Sequence, residues 1–386
     1  MPAPRRIIVD ANIPAAEACF GELGEVRRLP GRQLPPEALA EAEVLITRSI
    51  TRVDRALLDQ APRLRFVGTC TIGTDHIDRQ ALAERGIGFS SAPGCNAEAV
   101  VDHVLGALTW AAEREGQELE ERRVGIVGVG QVGGRLAARL AALGIETLCC
   151  DPPRAEAEGS EGFHDLETLI ERCDVLCLHT PLVRGGSHAT HHLLDARRLA
   201  ALRPGTWLLN AGRGDCLDGE ALKARLAARG DLLTLLDVWE NEPAIDEVLW
   251  RAADLATPHV AGYSLDGKLR GTHQVYGAAM HHFGLPARRK LASLLPSPAL
   301  PRLTLDAGLS PWDALRLCIR ACHDPRRDAL GLARFARERG MARGFDGYRA
   351  AYPLRREFAT LTVELREGAA DLAPWLEGAG FRVEHR

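Results

Sequence analysis

Three polar side chains in the middle of the chain have the types that hydride transfer from a 2-hydroxy acid needs. They are Arg213 in LLNAGRGD, Glu242 in LLDVWENEP and His259 in ATPHVAGYS. A guanidinium binds a carboxylate through two parallel hydrogen bonds and polarises the reacting oxygen. An imidazole accepts the hydroxyl proton as the hydride leaves, and a neighbouring carboxylate fixes the tautomer of that imidazole. The sequence therefore predicts an Arg–Glu–His catalytic set.

Each of these three residues also has an ordinary structural explanation. The arginine can be a surface cation, the glutamate can lie in a solvated loop, and the histidine can end a turn. A shared site is favoured because all three follow short apolar segments typical of buried strands. Ligands of doubly wound sheets bind where such strands end.

A glycine fingerprint, VGIVGVGQVGG, lies between a strand-like segment and a helix-like one. In this setting Gly128 allows a tight turn, Gly130 lets the backbone approach a pyrophosphate, and Gly133 permits close packing of helix on strand. The free N–H groups at the start of the helix favour the phosphate charge. We predict a dinucleotide site here, with Gln131 and Val132 among its contacts.

The type of dinucleotide is indicated by Asp151, which ends the next strand-like segment, ETLCCD. An acidic residue about 20 residues beyond the glycines binds the ribose hydroxyls and repels a 2′-phosphate. Arg154 follows closely and could instead meet such a phosphate, and Asp-Pro-Pro could be a surface turn. We predict NAD rather than NADP.

The elements that must position these residues follow from the apolar pattern. Short apolar runs alternate with helix-like stretches over the first hundred residues, which predicts a parallel sheet covered by helices. A long apolar helix is expected over 96–118. From VGIVGVG to LATPHVAG the alternation resumes and predicts a doubly wound sheet. A helix over 267–284 is expected to return to the first domain.

The last hundred residues differ in composition. Pro296, Pro298 and Pro301 predict a stiff connection, and the segments beyond it predict a small α+β domain. From Pro286 onward, 18 Arg and Lys residues stand against 12 Asp and Glu, although the whole chain has a net charge of −4. The Arg-rich stretch raises nucleic-acid binding as an alternative, but we favour a solvated face or an interface because the chain is net acidic.

Composition argues against several other classes of protein. No apolar run of about 18 residues is present, so we expect no membrane span. The first residues, MPAPRRIIVD, lack the apolar segment of a secretion signal, so we expect a soluble, cytoplasmic protein. The ten cysteines form no CxxC pair and no Cys/His cluster with zinc spacing. We therefore expect reduced thiols and no metal site.

The order of these motifs resembles that of the D-isomer-specific 2-hydroxyacid dehydrogenases. The shared features are the glycine fingerprint, an HTP strand end, NAxRG, DVWExEP and PHxAG, within residues 1 to about 285. The resemblance implies two doubly wound domains, a flavodoxin-like substrate domain (1–97 with 260–285) and a Rossmann NAD domain (98–259), followed by a C-terminal domain (286–386). It also implies cofactor contacts at Thr180, Ala211, Gly212, Arg213, Asp237 and Gly262.

Further stretches narrow the resemblance to one subgroup of that family. They include ITRSIT, FVGTCTIGTDHID, SSAPGCNAEAV and HVAGYSLDGKLRGT. The subgroup implies a small phosphorylated hydroxy acid as substrate, with contacts at Ser49, Thr71 and Tyr263, and a homodimer formed through the C-terminal domain. It more often has cysteine where this chain has Gly212. From the residues alone, Arg48 and the neighbouring hydroxyls would suit a phosphate, with capping roles as the alternative.

Two other functions stay open on the sequence. One is another D-2-hydroxyacid dehydrogenase, such as a 3-phosphoglycerate dehydrogenase, and the other is a non-enzymatic protein that responds to NAD. The TCTIGTDHID loop and the C-terminal domain weigh against the first. The complete Arg–Glu–His set favours catalysis over the second.

Overall fold

The computed structural model describes residues 4–386, and its contacts divide the chain into two compact units. The first unit consists of the chain up to Asn96 together with Ser264–Ser297. The second consists of Ala97–Tyr263 together with Pro298–Arg386. The second unit thus combines the central part of the chain with the C-terminal segment, and the expected boundaries of a third domain stay a prediction.

The first unit is built on a five-stranded parallel sheet of order β2-β1-β3-β4-β5, which confirms the predicted flavodoxin-like topology. Strands β3 and β4 are buried along their whole length because helices cover both faces. The elements are β1 (Arg5–Asp10), α1 (Ala16–Phe20), β2 (Gly24–Leu29), α2 (Pro36–Glu41), β3 (Val44–Thr47), α3 (Arg55–Asp59), β4 (Phe66–Thr69), α4 (Arg79–Glu84) and β5 (Gly88–Ser90).

The second unit contains a six-stranded parallel sheet of order β11-β10-β9-β8-β6-β7. Strand β6 lies between β7 and β8, so the direction of winding reverses beside it, as in a Rossmann fold. The elements are α5 (Ala97–Glu115), β6 (Val124–Val127), α6 (Gly133–Ala142), β7 (Thr147–Cys150), α7 (Pro152–Glu158), α8 (Leu166–Arg172), β8 (Val175–Leu178), α9 (Ala196–Ala201), β9 (Trp207–Asn210), α10 (Gly219–Arg229), β10 (Leu233–Leu236), α11 (Glu247–Ala252) and β11 (Leu255–Ala256).

The predicted returning helix is α12 (Leu265–His282), which belongs to the first unit. The Ser264 hydroxyl caps it by accepting a hydrogen bond of 2.8 Å from the backbone N–H of Gly267. Val275 and Tyr276 on this helix lie in one hydrophobic cluster with Phe66 of β4. The second crossing of the chain thus completes the core of the first unit.

The C-terminal segment adds three helices in a row and a three-stranded sheet of order β12-β13-β14, whose strands are all parallel. The Arg-rich stretch forms two of the helices, separated at Gly340, whose φ of 78° is one that glycine adopts readily. The elements are β12 (Arg302–Leu305), α13 (Pro311–Cys322), α14 (Pro325–Arg339), α15 (Met341–Ala350), β13 (Thr362–Leu365), α16 (Ala373–Ala379) and β14 (Arg382–His385).

One hydrophobic core joins this C-terminal segment to the Rossmann sheet. Trp207 and Leu209 of β9 belong to the same buried cluster as Trp312, Phe358 and Leu376. The backbones also approach closely, since a methyl group on Gly106 of α5 would lie 3.1 Å from Pro325 of α14. This shared core explains why the contacts group the segment with the Rossmann sheet.

Two global features bear on the expected environment of the protein. All ten cysteines are free thiols, and most of them are buried. Within residues 4–386, none of the helices combines the length and the apolar character needed to cross a lipid bilayer.

Candidate active site

The three predicted catalytic residues follow three neighbouring strands. Arg213 follows β9, Glu242 follows β10 and His259 follows β11, and β10 lies between the other two in the sheet. The last residues of the three strands are in register, because Leu236 is paired with both Asn210 and Ala256. The sheet therefore carries all three loops at one edge.

Glu242 and His259 form a hydrogen-bonded pair. The distance from His259 Nδ1 to Glu242 Oε2 is 2.7 Å, and the other carboxylate oxygen accepts the backbone N–H of Trp239 at 2.9 Å. The carboxylate is thus held on both sides. With Nδ1 donating to it, Nε2 of the imidazole carries the lone pair that can accept a proton.

Asp237 fixes the loop that carries His259. Its carboxylate accepts the Thr257 hydroxyl at 2.5 Å and the backbone N–H groups of Val260 and Ala261 at 2.9 and 3.0 Å. His259 itself has a φ of 55°, a left-handed conformation that residues other than glycine rarely adopt. Three hydrogen bonds to one carboxylate hold the loop in this conformation.

The charge of Asp237 is maintained although its side chain is only 3% exposed. Burial by itself would raise the pKa of this carboxyl. Attraction to His103 and His259, together with the hydrogen bonds, outweighs burial and keeps the pKa below its ordinary value. Its predicted contact with the cofactor stays a prediction, and its role within the fold is to support the histidine loop.

The loop of Arg213 is packed against the loop of Glu242. A Cβ atom on Gly214 would lie 2.0 Å from the carbonyl carbon of Trp239, so only glycine fits there. The Asn210 side chain accepts the Gly212 N–H at 3.1 Å and donates to the Arg213 carbonyl at 3.0 Å. Because of these contacts, the backbone that carries Arg213 is fixed relative to the loop that carries Glu242.

The neighbouring strand end holds further predicted cofactor contacts. Thr180 is buried and its hydroxyl lies 3.4 Å from the Cys216 sulfur, while Ala211 donates its N–H to the Leu178 carbonyl at 3.3 Å. Gly212 lies close to this strand end, since its Cβ would be 3.0 Å from the Thr180 carbonyl oxygen. A larger residue at Gly212 would require a shift of a few tenths of an ångström.

The glycine loop has the geometry that the fingerprint predicts. Gly128 has a φ of 87°, and a Cβ on Gly133 would lie 2.0 Å from the Gly128 carbonyl oxygen. Both glycines are therefore needed by the fold itself. Nothing lies within 4 Å of a Cβ placed on Gly130, so this position opens onto free space at the start of α6. That space fits a pyrophosphate approaching the backbone.

The acidic residue of the fingerprint supports the same loop. Asp151 Oδ2 accepts the Val129 N–H at 2.8 Å, and Oδ1 caps α7 by accepting the Arg154 N–H at 3.2 Å. The Arg154 guanidinium is held by Glu158 at 2.5 Å and by the Val129 carbonyl at 2.7 Å. A guanidinium so engaged is a poor partner for a 2′-phosphate, which agrees with NAD as the cofactor. The contacts of Gln131, Val132 and Gly262 with the cofactor stay predictions.

The first unit carries three of the predicted substrate contacts at neighbouring strand ends. Arg48 and Ser49 follow β3, and Thr71 follows β4. Arg48 Nε lies 3.1 Å from the buried carboxylate of Asp10, which holds the guanidinium in place. Ser49 is exposed, and the Thr71 hydroxyl is 2.8 Å from that of Thr69.

Two arginines of the C-terminal segment contact the loop after His259, and the sequence did not predict this. Arg349 of α15 donates from Nε to the Tyr263 hydroxyl at 3.1 Å, and Arg355 donates to the Ala261 carbonyl at 2.9 Å. No motif marks either arginine, because the segment is Arg-rich throughout. Only the packing of the segment on the Rossmann sheet distinguishes them.

One buried cluster has side chains that could coordinate a metal ion. Within residues 4–386, His103, His323 and Asp328 are the group of three whose potential ligand atoms lie within 4.8 Å of one another. The two imidazoles are already 3.0 Å apart, and the carboxylate accepts the hydroxyls of Tyr348 and Tyr352 at 2.8 and 3.0 Å. These hydrogen bonds account for the cluster, and the expectation of no metal stays a prediction.

Comparison with known families matches two parts of the chain. Residues 99–261 match the family described as D-isomer specific 2-hydroxyacid dehydrogenase, NAD binding domain. Residues 294–378 match a domain of unknown function, DUF3410. The first match spans the glycine loop and the loops of Arg213, Glu242 and His259, and the second spans most of the C-terminal segment.

Comparison with individual proteins gives matches over nearly the full length. An erythronate-4-phosphate dehydrogenase of Chromohalobacter salexigens is 58% identical over 98% of this chain and 99% of its own. One of Pseudomonas entomophila is 50% identical over 98% of each. A crystal structure of D-lactate dehydrogenase from Aquifex aeolicus with NAD and lactic acid has a TM-score of 0.61 at 23% identity, covering 72% of this chain and 95% of that one, and so shares its fold.

Proposed function

Because the chain belongs to the D-isomer-specific 2-hydroxyacid dehydrogenase family, we propose that it oxidises 4-phospho-D-erythronate to (R)-3-hydroxy-2-oxo-4-phosphooxybutanoate. NAD is the oxidant, and the reaction is a step of pyridoxal 5′-phosphate (vitamin B6) biosynthesis. Two relatives that carry the name of this substrate match the chain along nearly its whole length, C-terminal segment included.

The observation that carries the proposal is the Glu242–His259 pair beside the loop of Arg213. Arg213 binds the substrate carboxylate and polarises the oxygen at C2. His259 accepts the proton of the C2 hydroxyl through Nε2, and Glu242 stabilises the imidazolium that forms. NAD, when bound, supplies the acceptor for the hydride that leaves C2.

The residues that would hold the cofactor and the substrate lie at the strand ends described above. The glycine loop and Asp151 suit the pyrophosphate and ribose of NAD. For the substrate phosphate, Arg48 offers a cation already oriented by Asp10, and Ser49 and Thr71 offer hydroxyls. Tyr263 is a further substrate contact. The remaining proposed cofactor contacts are Gln131, Val132, Thr180, Ala211, Gly212, Asp237 and Gly262.

The direct test is Arg213→Ala, assayed by the absorbance of NADH formed from 4-phospho-D-erythronate. We expect kcat/KM to fall by about 10²–10⁴-fold, because a charged contact made at the reacting centre is lost. Arg229→Ala, on an exposed arginine at the end of α10, is the control. Wild-type turnover in Arg213→Ala would exclude the catalytic role assigned to Arg213. In a separate variant, Arg48→Ala, an unchanged KM for 4-phospho-D-erythronate would show that Arg48 does not bind the substrate phosphate.

A panel of other hydroxy acids separates the alternatives. Faster oxidation of 3-phosphoglycerate would point to another activity within the family. Binding of NAD without oxidation of any hydroxy acid would point to a non-enzymatic protein that responds to NAD.

The proposal includes a homodimer formed through the C-terminal segment in the cytoplasm. Leu330 on α14 is 71% exposed and Leu354 is 64% exposed, and in the proposed dimer both side chains would be buried at the interface. The ten free thiols suit a reducing compartment. Light scattering on the purified protein would exclude the dimer if it gave the mass of one chain.

A further inference from the structure

The C-terminal segment reaches the loop that follows His259 at two points. Arg355 donates hydrogen bonds to the carbonyl of Ala261 and to that of Ala99 on α5. Arg349 donates to the hydroxyl of Tyr263. The backbone on one side of Gly262 and the side chain on the other are therefore both held by the same segment.

The contact between Arg349 and Tyr263 is specific in its geometry. Nε lies 3.1 Å from the phenol oxygen, and the guanidinium carbon lies 5.5 Å from the centre of the ring. The Tyr263 ring also meets the Tyr352 ring edge-on, with ring centres 5.3 Å apart. A tyrosine held by a cation and by a second ring has little freedom to rotate.

Arg349 also contributes charge to the catalytic pair. Its side chain is 13% exposed, and the charged or titratable groups facing it are Tyr263, Glu242 and Asp346, the last at 3.9 Å on its own helix. Burial would lower the pKa of Arg349, but the influence of Tyr263 and Glu242 outweighs burial and raises it. The guanidinium therefore stays charged although it is largely buried, and it attracts the Glu242 carboxylate.

We propose that Arg349 is a positioning residue of the active site, which orients the Tyr263 phenol so that its O–H is donated to an anionic group of the substrate. A hydroxyl that accepts a hydrogen bond from a cation becomes a stronger donor through its own proton. The inference rests on the proposed function, because it takes Tyr263 to be a substrate contact. It gives the C-terminal segment a part in substrate recognition in addition to any part in assembly.

The test compares Arg349→Met with Arg343→Met, an exposed arginine on the same helix. For Arg349→Met we expect the KM for 4-phospho-D-erythronate to rise about 10- to 100-fold, as for loss of a charged hydrogen bond. We also expect the acidic limb of the kcat/KM profile to move to higher pH, because removing a cation favours proton uptake by the groups around it. Arg343→Met should change neither.

Tyr263→Phe shows whether Arg349→Met raises KM because the Tyr263 hydroxyl is no longer oriented or because the structure is generally disturbed. It removes the hydroxyl and keeps the cation, so KM should rise while the acidic limb stays in place. In the double variant Arg349→Met, Tyr263→Phe, KM should rise no further than in Tyr263→Phe alone, because the two residues act through one hydroxyl. Additive effects on KM would overturn the proposal.

A conservative variant keeps the test decisive if Arg349→Met does not fold. Arg349→Lys retains the charge without the Nε donor, so it should raise KM and leave the pH profile unchanged. A wild-type KM in this variant would overturn the proposal. If the unmodified enzyme does not oxidise 4-phospho-D-erythronate, the proposed function fails, and the same variants are then measured with the hydroxy acid that it does oxidise.

Discussion

At the scale of single residues, the candidate site depends on carboxylates that serve the backbone as well as the chemistry. Asp237 holds the loop of His259, and Glu242 spans the Trp239 N–H and the imidazole. A carboxylate can accept several hydrogen bonds at once and has no proton to donate at neutral pH. An amide of the same shape cannot do this, so each carboxylate can be tested by an isosteric change.

Glu242→Gln should lower kcat/KM by about 10- to 100-fold while the protein stays folded. The Trp239 N–H and the His259 Nδ1–H meet different oxygens of Glu242. In glutamine one of these oxygens is replaced by an NH2 group, so one donor loses its acceptor, and the side chain has no charge to stabilise an imidazolium. Steady-state kinetics and the unfolding temperature are the two measurements. Glu247→Gln, at an exposed position on α11, is the matched control. Equal loss of activity in the two variants would contradict the assigned role of Glu242.

At the scale of elements, the glycines of the β6–α6 turn differ in whether the fold or the cofactor requires them. Gly133 packs against the carbonyl of Gly128, Gly134 makes only an ordinary contact of 3.5 Å, and Gly130 faces free space. Three glycines within five residues thus have three different reasons for lacking a side chain.

Alanine substitutions distinguish these reasons. Gly133→Ala should lower the free energy of unfolding by about 2 kcal/mol or more, because its methyl group would overlap the backbone. Gly134→Ala, within the same helix, should raise it by about 0.5–1 kcal/mol. Gly130→Ala should leave stability unchanged and weaken NAD binding. Calorimetry and a titration with NAD measure both quantities, and a destabilised Gly134→Ala would show that the helix start is packed differently.

The elements that the sequence predicted are those with an unbroken apolar run. VLIT of β3 and WLLN of β9 are buried at every residue, and both were expected as strands. Strand β2, GEVRRL, was missed because it is an edge strand whose side chains are mostly charged and partly exposed.

At the scale of the whole molecule, the second unit has one continuous hydrophobic core that includes the C-terminal segment. Asp102 on α5 lies 2.6 Å from Arg139 of α6, and its other oxygen accepts the Phe358 N–H of the C-terminal segment at 2.9 Å. The Phe358 ring is buried in the shared core and stacks on Phe381 at 4.7 Å. A substitution that disrupts the packing of the C-terminal segment should therefore also destabilise the Rossmann sheet.

Phe358→Ala should lower the free energy of unfolding by about 3–5 kcal/mol, as expected for removal of a buried aromatic side chain. NAD binding should be lost in the same thermal transition, because the cavity opens in the core that supports the Rossmann sheet. Val248→Ala, at a valine of α11 that is 63% exposed, should change stability by less than about 0.5 kcal/mol. Two separate transitions in Phe358→Ala, with NAD binding lost only in the later one, would show that the segment folds independently.

The pKa values of the buried histidines indicate how the free energy of unfolding changes with pH. Burial lowers the pKa of His103 and His179 from 6.5 to about 4, so between these values the unfolded chain binds protons that the folded chain does not. The free energy of unfolding therefore falls as the pH falls from 6.5 to 4. Asp102 and Asp328 act in the opposite direction from about pH 6 downwards, because burial raises the pKa of each to about 6.

His179→Phe should flatten this dependence. Neither ring nitrogen of His179 has a hydrogen-bond partner among residues 4–386, so the change removes one proton-linked contribution without breaking a hydrogen bond. The fall in free energy of unfolding between pH 6.5 and 4 should shrink by up to about 3 kcal/mol. Denaturant titrations at several pH values measure it, with the exposed His385→Asn as control. An unchanged slope would mean that His179 takes up a proton in the folded state.

The grouping of Arg213, Glu242 and His259 was predictable because each residue follows a recognisable strand, and the strand order brings the three strand ends to one edge of the sheet. Arg349 and Arg355 were not predictable. Their contacts join positions about 90 residues apart in the sequence through the packing of one segment on another. Local patterns carry no information on which of many similar arginines meets a given loop.

The close approach of α5 to α14 at Gly106, within a continuous hydrophobic core, limits how this chain can be recombined with other dehydrogenases. A chimaera that takes 97–263 without 298–386 would expose apolar helix surface to water and would aggregate. In a dehydrogenase that lacks such a segment, either polar side chains or another subunit must take the place of this cover. A chimaera of this chain therefore needs paired crossover points, so that 97–263 and 298–386 come from the same parent protein. Residues 264–297 must come from the parent that supplies the first unit.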